Sequence, residues 1–337
     1  MSTRRYPEGP GTAPRTAPAP ALPTVTATDV PAVRCAGLTY AFGASRAVDG
    51  LDLMVRPGEV FGLLGPNGAG KTTTMRVITT LLPVPPGVVE VFGKDVARHR
   101  MAVRRLLGYV PQQLSADASL TGRENVRLFA RVFDVPRRER AARVSQALDA
   151  VGLGEVAHRL AATYSGGMVR RLELAQALVS APRLMILDEP TIGLDPIARD
   201  GVWDRITEIR AGTGMTVLVT THSMDEADRR CDRLALMHLG RLRAFGTPAE
   251  LKGELVARRR ESGATDLPPP TLEDVFRYHS GSGLDDPASA TENDGDDRDS
   301  RGGRGDRNQG HRRKGRNERR GAFGDVRRTR RTASRLG

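Results

Sequence analysis

The feature that most restricts this chain is a glycine-rich turn with a lysine at its end. Gly65-Pro-Asn-Gly-Ala-Gly-Lys-Thr72 fits the pattern G-x-x-x-x-G-K-[ST] and directly follows the apolar run Glu59-Val-Phe-Gly-Leu-Leu64. The run has the length and composition of a buried strand. The glycines let the backbone curl until several N–H groups point at one phosphate. Lys71 can then reach the β- and γ-phosphates, and the Thr72 hydroxyl can ligate Mg²⁺. A helix opening at Lys71 would add the partial positive charge of its N-terminus. Gly65, Pro66, Asn67, Gly68, Ala69, Gly70, Lys71, Thr72 and Thr73 are therefore candidate nucleotide-binding residues. Strand, phosphate loop and helix in this order predict an α/β domain.

Two further segments carry chemistry. In Leu184-Met-Ile-Leu-Asp-Glu-Pro190 two acids follow an apolar run. A carboxylate at the end of a buried strand needs a partner, because an unpaired buried charge is costly. Mg²⁺ would supply that partner for Asp188, and Glu189 is then placed to orient or deprotonate an attacking water. Two acids before a proline would also serve simply to cap the next element. In Tyr164-Ser-Gly-Gly-Met168, Ser165 is an expected N-cap. The helix after it would run through Val169, Leu172, Ala175 and Val179. Thr216-Val-Leu-Val-Thr220 and Leu234-Ala-Leu-Met237 predict two more strands. From Thr121 to Arg159 the period turns helical, with Val126, Phe129, Ala130 and Phe133 along one face.

Charge and composition divide the chain. Of the net charge of +12 over 337 residues, +11 lies between Arg301 and Gly337, so the rest is close to neutral. The basicity belongs to a tail, which argues against nucleic-acid binding by the domain itself. Residues 1–30 are rich in Pro, Ala and Thr and are expected to be disordered, as is the acidic-then-basic stretch 281–337. No apolar run reaches the roughly 18 residues of a membrane helix, and residues 1–30 lack the apolar core of a signal peptide. Cys35 and Cys231 have no metal-ligand spacing and read as two buried or half-buried thiols in a reducing compartment.

Taken together the motifs resemble the ATP-binding cassette (ABC) family over about Ala32 to Ser280. Gly65 to Thr72 is similar to its Walker A loop and Leu184 to Glu189 to its Walker B strand. Ser165, Gly166 and Gly167 resemble the ABC signature. Gln112 in Gly108-Tyr-Val-Pro-Gln112 resembles the Q-loop glutamine, a nucleotide and Mg²⁺ contact. Asp195 in Gly193-Leu-Asp-Pro196 resembles the D-loop acid. His222 in Thr220-Thr-His-Ser223 resembles the switch histidine, catalytic beside Glu189. Phe42 in Tyr40-Ala-Phe-Gly43 resembles the aromatic that stacks on adenine. Tyr164 to Met168, Gly122-Arg-Glu-Asn125 and Thr271-Leu-Glu-Asp-Val-Phe276 point to daunorubicin-resistance-type exporters within the family. Met168 departs from the commoner glutamine, and Ile192 is a second, smaller departure.

The resemblance implies an α/β P-loop NTPase, an ABC nucleotide-binding domain with a small antiparallel β part and a helical subdomain. Its expected limits are 31–255, with the helical subdomain at about 113–175 and a C-terminal extension at 256–280. It further implies ATP and Mg²⁺ as cofactors, with Thr72, Gln112 and Asp188 as metal ligands. A second copy of the chain in a head-to-tail dimer and a separately encoded membrane permease are the implied partners. The permease would carry a small hydrophobic cargo, and the chain would sit peripherally on the cytoplasmic face of the membrane. No specific nucleic acid is implied. The competing readings are a non-transport ABC ATPase of the translation or DNA-repair type, and nucleic-acid binding through the Arg-rich tail. Translation factors of the family usually carry two cassettes per chain. DNA-repair members place a long coiled coil between Walker A and signature, whereas Lys71 and Ser165 are only 94 positions apart.

Overall fold

The computed structural model describes residues 30–261 and 268–281. The segments expected to be disordered lie outside these residues, apart from their boundary positions Val30 and Gly281. In chain order the elements begin with β1 (Val33–Phe42), β2 (Ser45–Val55), β3 (Val60–Leu64) and α1 (Lys71–Ile78). Next come β4 (Val89–Val91), β5 (Lys94–Asp95), α2 (Arg100–Arg104) and β6 (Leu107–Val110). The helical stretch holds α3 (Gly122–Val132), α4 (Arg140–Ala150), a 3-10 turn at Ala161–Thr163 and α5 (Gly166–Leu178). The chain continues through β7 (Leu184–Asp188), α6 (Pro196–Thr213), β8 (Thr216–Thr221), α7 (Met224–Arg230), β9 (Arg233–His238), β10 (Arg241–Gly246), α8 (Pro248–Glu261) and α9 (Leu272–Ser280).

The strands form two sheets. The main one has the order β10-β9-β3-β8-β7-β6 and is parallel except for the β10–β9 pair. The smaller one, β2-β1-β4-β5, is antiparallel. Every residue of β3, β7 and β8 is buried. That explains why these strands appear in the sequence as unbroken apolar runs rather than alternating ones. One apolar cluster joins the small sheet and α1 to one face of the main sheet, through residues such as Val48, Phe61, Met75 and Ile186. The other joins the opposite face to helices α3 to α9, through residues such as Leu172, Leu187, Trp203 and Phe276.

Three fold details refine the sequence expectations. The α5 helix runs to Leu178 with Val179 at its end, as its apolar spacing implies, so the bound expected at about 175 falls inside it. The division expected between 255 and 256 falls inside α8, whose Leu255 is buried. Beyond it, Leu272, Val275 and Phe276 of α9 join the same core as the sheet, so the described part of 256–280 packs as an integral piece of the domain. Among the described residues no helix is long and apolar enough to cross a membrane. Cys35 and Cys231 are both buried and unpaired, as expected.

Candidate nucleotide site

Register brings the motifs to one edge. In the main sheet Leu64 lies beside Thr221, Thr220 beside Asp188, and Leu187 beside Val110. The loops after β3, β6, β7 and β8 therefore leave the same edge of the sheet, where parallel α/β sheets bind ligands. Those loops carry Lys71, Gln112, Glu189 and His222.

The glycine loop closes tightly. Gly65 and Gly70 have φ of 151° and 99°. A methyl group on Gly65 would strike the Met237 carbonyl, and one on Gly70 the Ala47 carbonyl. Gly70 is the N-cap of α1 with left-handed geometry, so the helix opens at Lys71 with free N–H groups at its positive end. Lys71 is only 5% exposed. Its Nζ donates to the carbonyls of Gly65 at 2.7 Å and Pro66 at 3.0 Å and lies 3.8 Å from Glu189 Oε1. Burial pulls the Lys71 pKa down, opposed by the charges of Glu189 and Asp188. Pro66, Asn67, Gly68 and Ala69 complete the loop, with Asn67 and Gly68 exposed, and Thr73 is half-buried on the first turn of α1.

Three residues meet behind the loop. Asp188 is 1% exposed, and its Oδ1 accepts from Thr220 Oγ1 at 2.6 Å and faces Thr72 Oγ1 at 3.5 Å. A buried carboxylate beside a hydroxyl offers the hard oxygen ligands that Mg²⁺ prefers. Among the described residues no group of three or more His, Cys, Asp or Glu is placed to hold a metal ion. Tyr109 is pushed up to about 12 by burial, with the Asp188 charge adding to the shift.

Glu189 stands at the centre of the second group. Its Oε2 lies 3.2 Å from His222 Nδ1 and accepts from Gln112 Nε2 at 3.5 Å. Its backbone adopts φ 48°, and its N–H is held by Thr220 Oγ1 at 2.9 Å and the Thr220 carbonyl at 3.1 Å. Lys71, His222 and Gln112 thus surround the Glu189 carboxylate, and among the described residues the hydrogen bond of the Gln112 amide goes to Glu189 and not to Asp188.

The other predicted site residues lie elsewhere. Ser165 caps α5, its hydroxyl accepting from Met168 N at 3.3 Å, and Ser165 and Gly166 are exposed. Gly166 lies near Leu194, and Gly167 is buried against Ala198. Asp195 caps α6 by accepting from Ala198 N at 2.9 Å. None of these side chains hydrogen-bonds to Lys71, Asp188 or Glu189 among the described residues. Phe42 is 49% exposed and stacks edge-on against Tyr40 at 5.1 Å. It is Ala47 and Val48 of β2 that press on the glycine loop at Gly70.

Two residues that shape the site, Thr220 and Glu226, do not stand out in the sequence. Thr220 binds both acids, and its only signal was a threonine at the end of an apolar run. Glu226, 3% exposed, accepts from Thr191 at 2.9 Å and Thr221 at 3.3 Å and lies 3.3 Å from Arg199. It ties the loop after Glu189 to the loop bearing His222, and no local pattern marks it.

Residues 48–192 match a family model described as ABC transporter. The chain is 46% identical over 224 residues to the daunorubicin/doxorubicin resistance ATP-binding protein DrrA of Streptomyces peucetius, covering 66% of this chain and 68% of that one. It is 43% identical over 225 residues to the Nod factor export ATP-binding protein I of Rhizobium meliloti, covering 67% of each. Among solved structures, an ATP-binding subunit of an ABC transporter superposes with a TM-score of 0.61 at 28% identity, over 73% of this chain and 98% of that one. The cbiO1 protein of Clostridium perfringens, part of an ABC transporter complex, superposes with a TM-score of 0.62 at 26% identity, over 69% and 95%.

Proposed function

Because the chain belongs to the family of ABC transporter ATP-binding subunits, we propose that the residues gathered at the sheet edge bind MgATP and split its γ-phosphate. The chain binds and hydrolyses ATP and powers export through an ABC transporter. The observation that carries the residue assignment is the convergence of Lys71, Gln112 and His222 on the Glu189 carboxylate, beside Asp188 and Thr72.

In this reading the loop from Gly65 to Thr73 wraps the phosphates, and Lys71 offsets their charge. Thr72 and Asp188 hold Mg²⁺, which neutralises phosphate charge when bound. Gln112 as a third ligand has less support, since its amide faces Glu189 rather than Asp188. Glu189 accepts the proton of the attacking water, and His222 keeps that carboxylate oriented. Phe42 serves as the adenine platform, its exposed ring leaving a face free for stacking.

Ser165, Gly166, Gly167 and Asp195 have nothing to bind on their own chain's phosphate loop. The exposure of Ser165, Gly166 and Asp195 supports a head-to-tail dimer in which the signature of one copy completes the ATP site of the other. A cavity of about 650 Å³ between α3 and the sheet, lined by Leu81, Met101, Tyr109, Phe129, Val132 and Phe133, adjoins the Gln112 segment. Its exposed apolar walls support docking of a separate permease there. A peripheral position on the cytoplasmic face of the membrane follows from that docking. A small hydrophobic cargo such as a drug is proposed by analogy with the relative named for daunorubicin and doxorubicin resistance.

Glu189→Gln tests the central assignment. Turnover should fall about 10² to 10⁴-fold, while ATP binding persists and the closed dimer accumulates on gel filtration with MgATP. Hydrolysis at near the native rate would remove Glu189 from the role of base.

A further inference from the structure

The segment between β6 and α3 carries Gln112 but has no regular structure of its own, and most of it is exposed. Its backbone is held from one side by α5, the helix that begins at Ser165. Arg170, 2% exposed, donates through Nη1 to the Pro111 carbonyl at 2.9 Å and through Nη2 to the Gln112 carbonyl at 3.0 Å. The same Nη1 donates to Glu173 Oε2 at 2.9 Å. Glu173, also 2% exposed, accepts through Oε1 from the Ser115 N–H and from the Ser115 hydroxyl, the latter at 3.1 Å. One turn further on, Gln176 donates to Asn125 Oδ1 at 3.1 Å, and that same oxygen accepts from Asp117 N at 2.9 Å.

Two buried charges are thus spent on gripping a surface loop. An ion pair desolvated to this degree is rarely the cheapest way to fill space, because apolar residues of similar volume often hold a fold as well. The geometry has a narrower use. A guanidinium fork fits two successive carbonyls at once, a pattern a lysine ammonium cannot reproduce. Those carbonyls belong to Gln112 and the residue before it, and the Gln112 amide reaches Glu189.

We propose that Arg170 and Glu173 are positioning residues that hold Gln112 in register with the signature end of α5. A shift of α5 that starts at Ser165 then moves the Gln112 amide against Glu189. This rests on the ATPase reading above, in which Ser165 meets the nucleotide of a second copy. The consequence is a link between the two ATP sites of a dimer. Occupation at the signature of one subunit sets the geometry of that subunit's own Glu189.

The test compares the full-length wild-type chain with Arg170→Met/Glu173→Leu, Arg170→Lys and Glu173→Gln. Each is measured for melting temperature, binding of a fluorescent ATP analogue, and ATPase rate against MgATP concentration. The double variant replaces both charges by apolar groups, so it should melt near the wild-type temperature and bind the analogue within about twofold. Its kcat should nonetheless fall roughly 10 to 100-fold, the scale expected when a catalytic group is misplaced by about 1 Å. Its Hill coefficient should drop towards 1. Arg170→Lys should not recover either value. Should the double variant keep wild-type kcat and Hill coefficient, the pair is packing alone and the proposal is overturned. A wild-type chain without hydrolysis would overturn the ATPase reading itself, and this proposal with it.

Discussion

At Glu189 the backbone takes φ 48°, a conformation that costs a non-glycine residue about 1–3 kcal/mol. The two bonds from its N–H to Thr220 hold it there. Thr220 therefore serves both acids, since its hydroxyl also donates to Asp188. Thr220→Val keeps the shape and removes the hydroxyl, leaving the buried Asp188 one donor short. Stability should fall by about 1–3 kcal/mol, and kcat by roughly tenfold, equivalent to about 1.4 kcal/mol at the transition state. Thermal melts and steady-state rates check both, with KM for ATP little changed. The two cysteines give a pH-dependent reading of the core. Burial pushes the Cys35 and Cys231 thiols up to about 12 from an ordinary 9.0. Each thiol holds its proton more firmly folded than unfolded. Their contribution to stability is therefore intact below about pH 9 and lost as pH rises towards 12. Alkylation by iodoacetamide at pH 8 should label neither thiol in the native chain and both after denaturation, as mass spectrometry would show.

Among the elements, α5 has two ends with different tasks. Its first turn exposes Ser165 and Gly166, while from Arg170 onward it is buried against the Gln112 segment, α3 and the sheet. The Ser165 hydroxyl is engaged as a cap, and Gly167 sits tightly, because a Cβ there would lie 3.0 Å from Ala198 Cβ and press on it. Met168, by contrast, is half-buried and enters the cap only through its N–H. Met168→Gln should therefore leave ATPase activity within about twofold, since any residue supplies that N–H. Ser165→Arg should eliminate it by removing the cap, worth about 1 kcal/mol, and by filling the surface that the second copy needs. Steady-state rates of both variants decide between these outcomes and a signature read through its fifth side chain.

For the whole molecule, the question is where the folded cassette stops. The α9 helix, held by a capping box between Thr271 and Asp274, returns to the sheet and buries Phe276 completely, its ring edge-on to His238 at 5.9 Å. Phe276→Ala should destabilise the domain by about 3–5 kcal/mol, which a urea melt would register. A chain ending at Gly281 should hydrolyse ATP as the full chain does, whereas one ending before Thr271 should melt at markedly lower temperature. Equal stability of the two truncations would place the end of the domain in α8 instead.

Local chemistry alone announced the glycine loop, the two acids at the end of β7, the cap at Ser165 and the buried strands. Each depends on neighbours a few residues apart, so composition and spacing suffice to reveal it. The resemblance to the ABC family added Gln112, Asp195, His222 and Phe42, none of which stands out by itself. Only the tertiary structure decided who meets whom. Gln112 touches Glu189 across 77 positions, Thr220 finds Asp188 across 32, and Arg170 reaches Gln112 across 58. The contacts at the sheet follow from the strand order β3-β8-β7-β6, which the hydrophobic pattern within each strand does not encode. The same cause packed α9 against the core. A helix's apolar face is visible in the sequence, but the surface that covers it is settled only when the whole chain has packed.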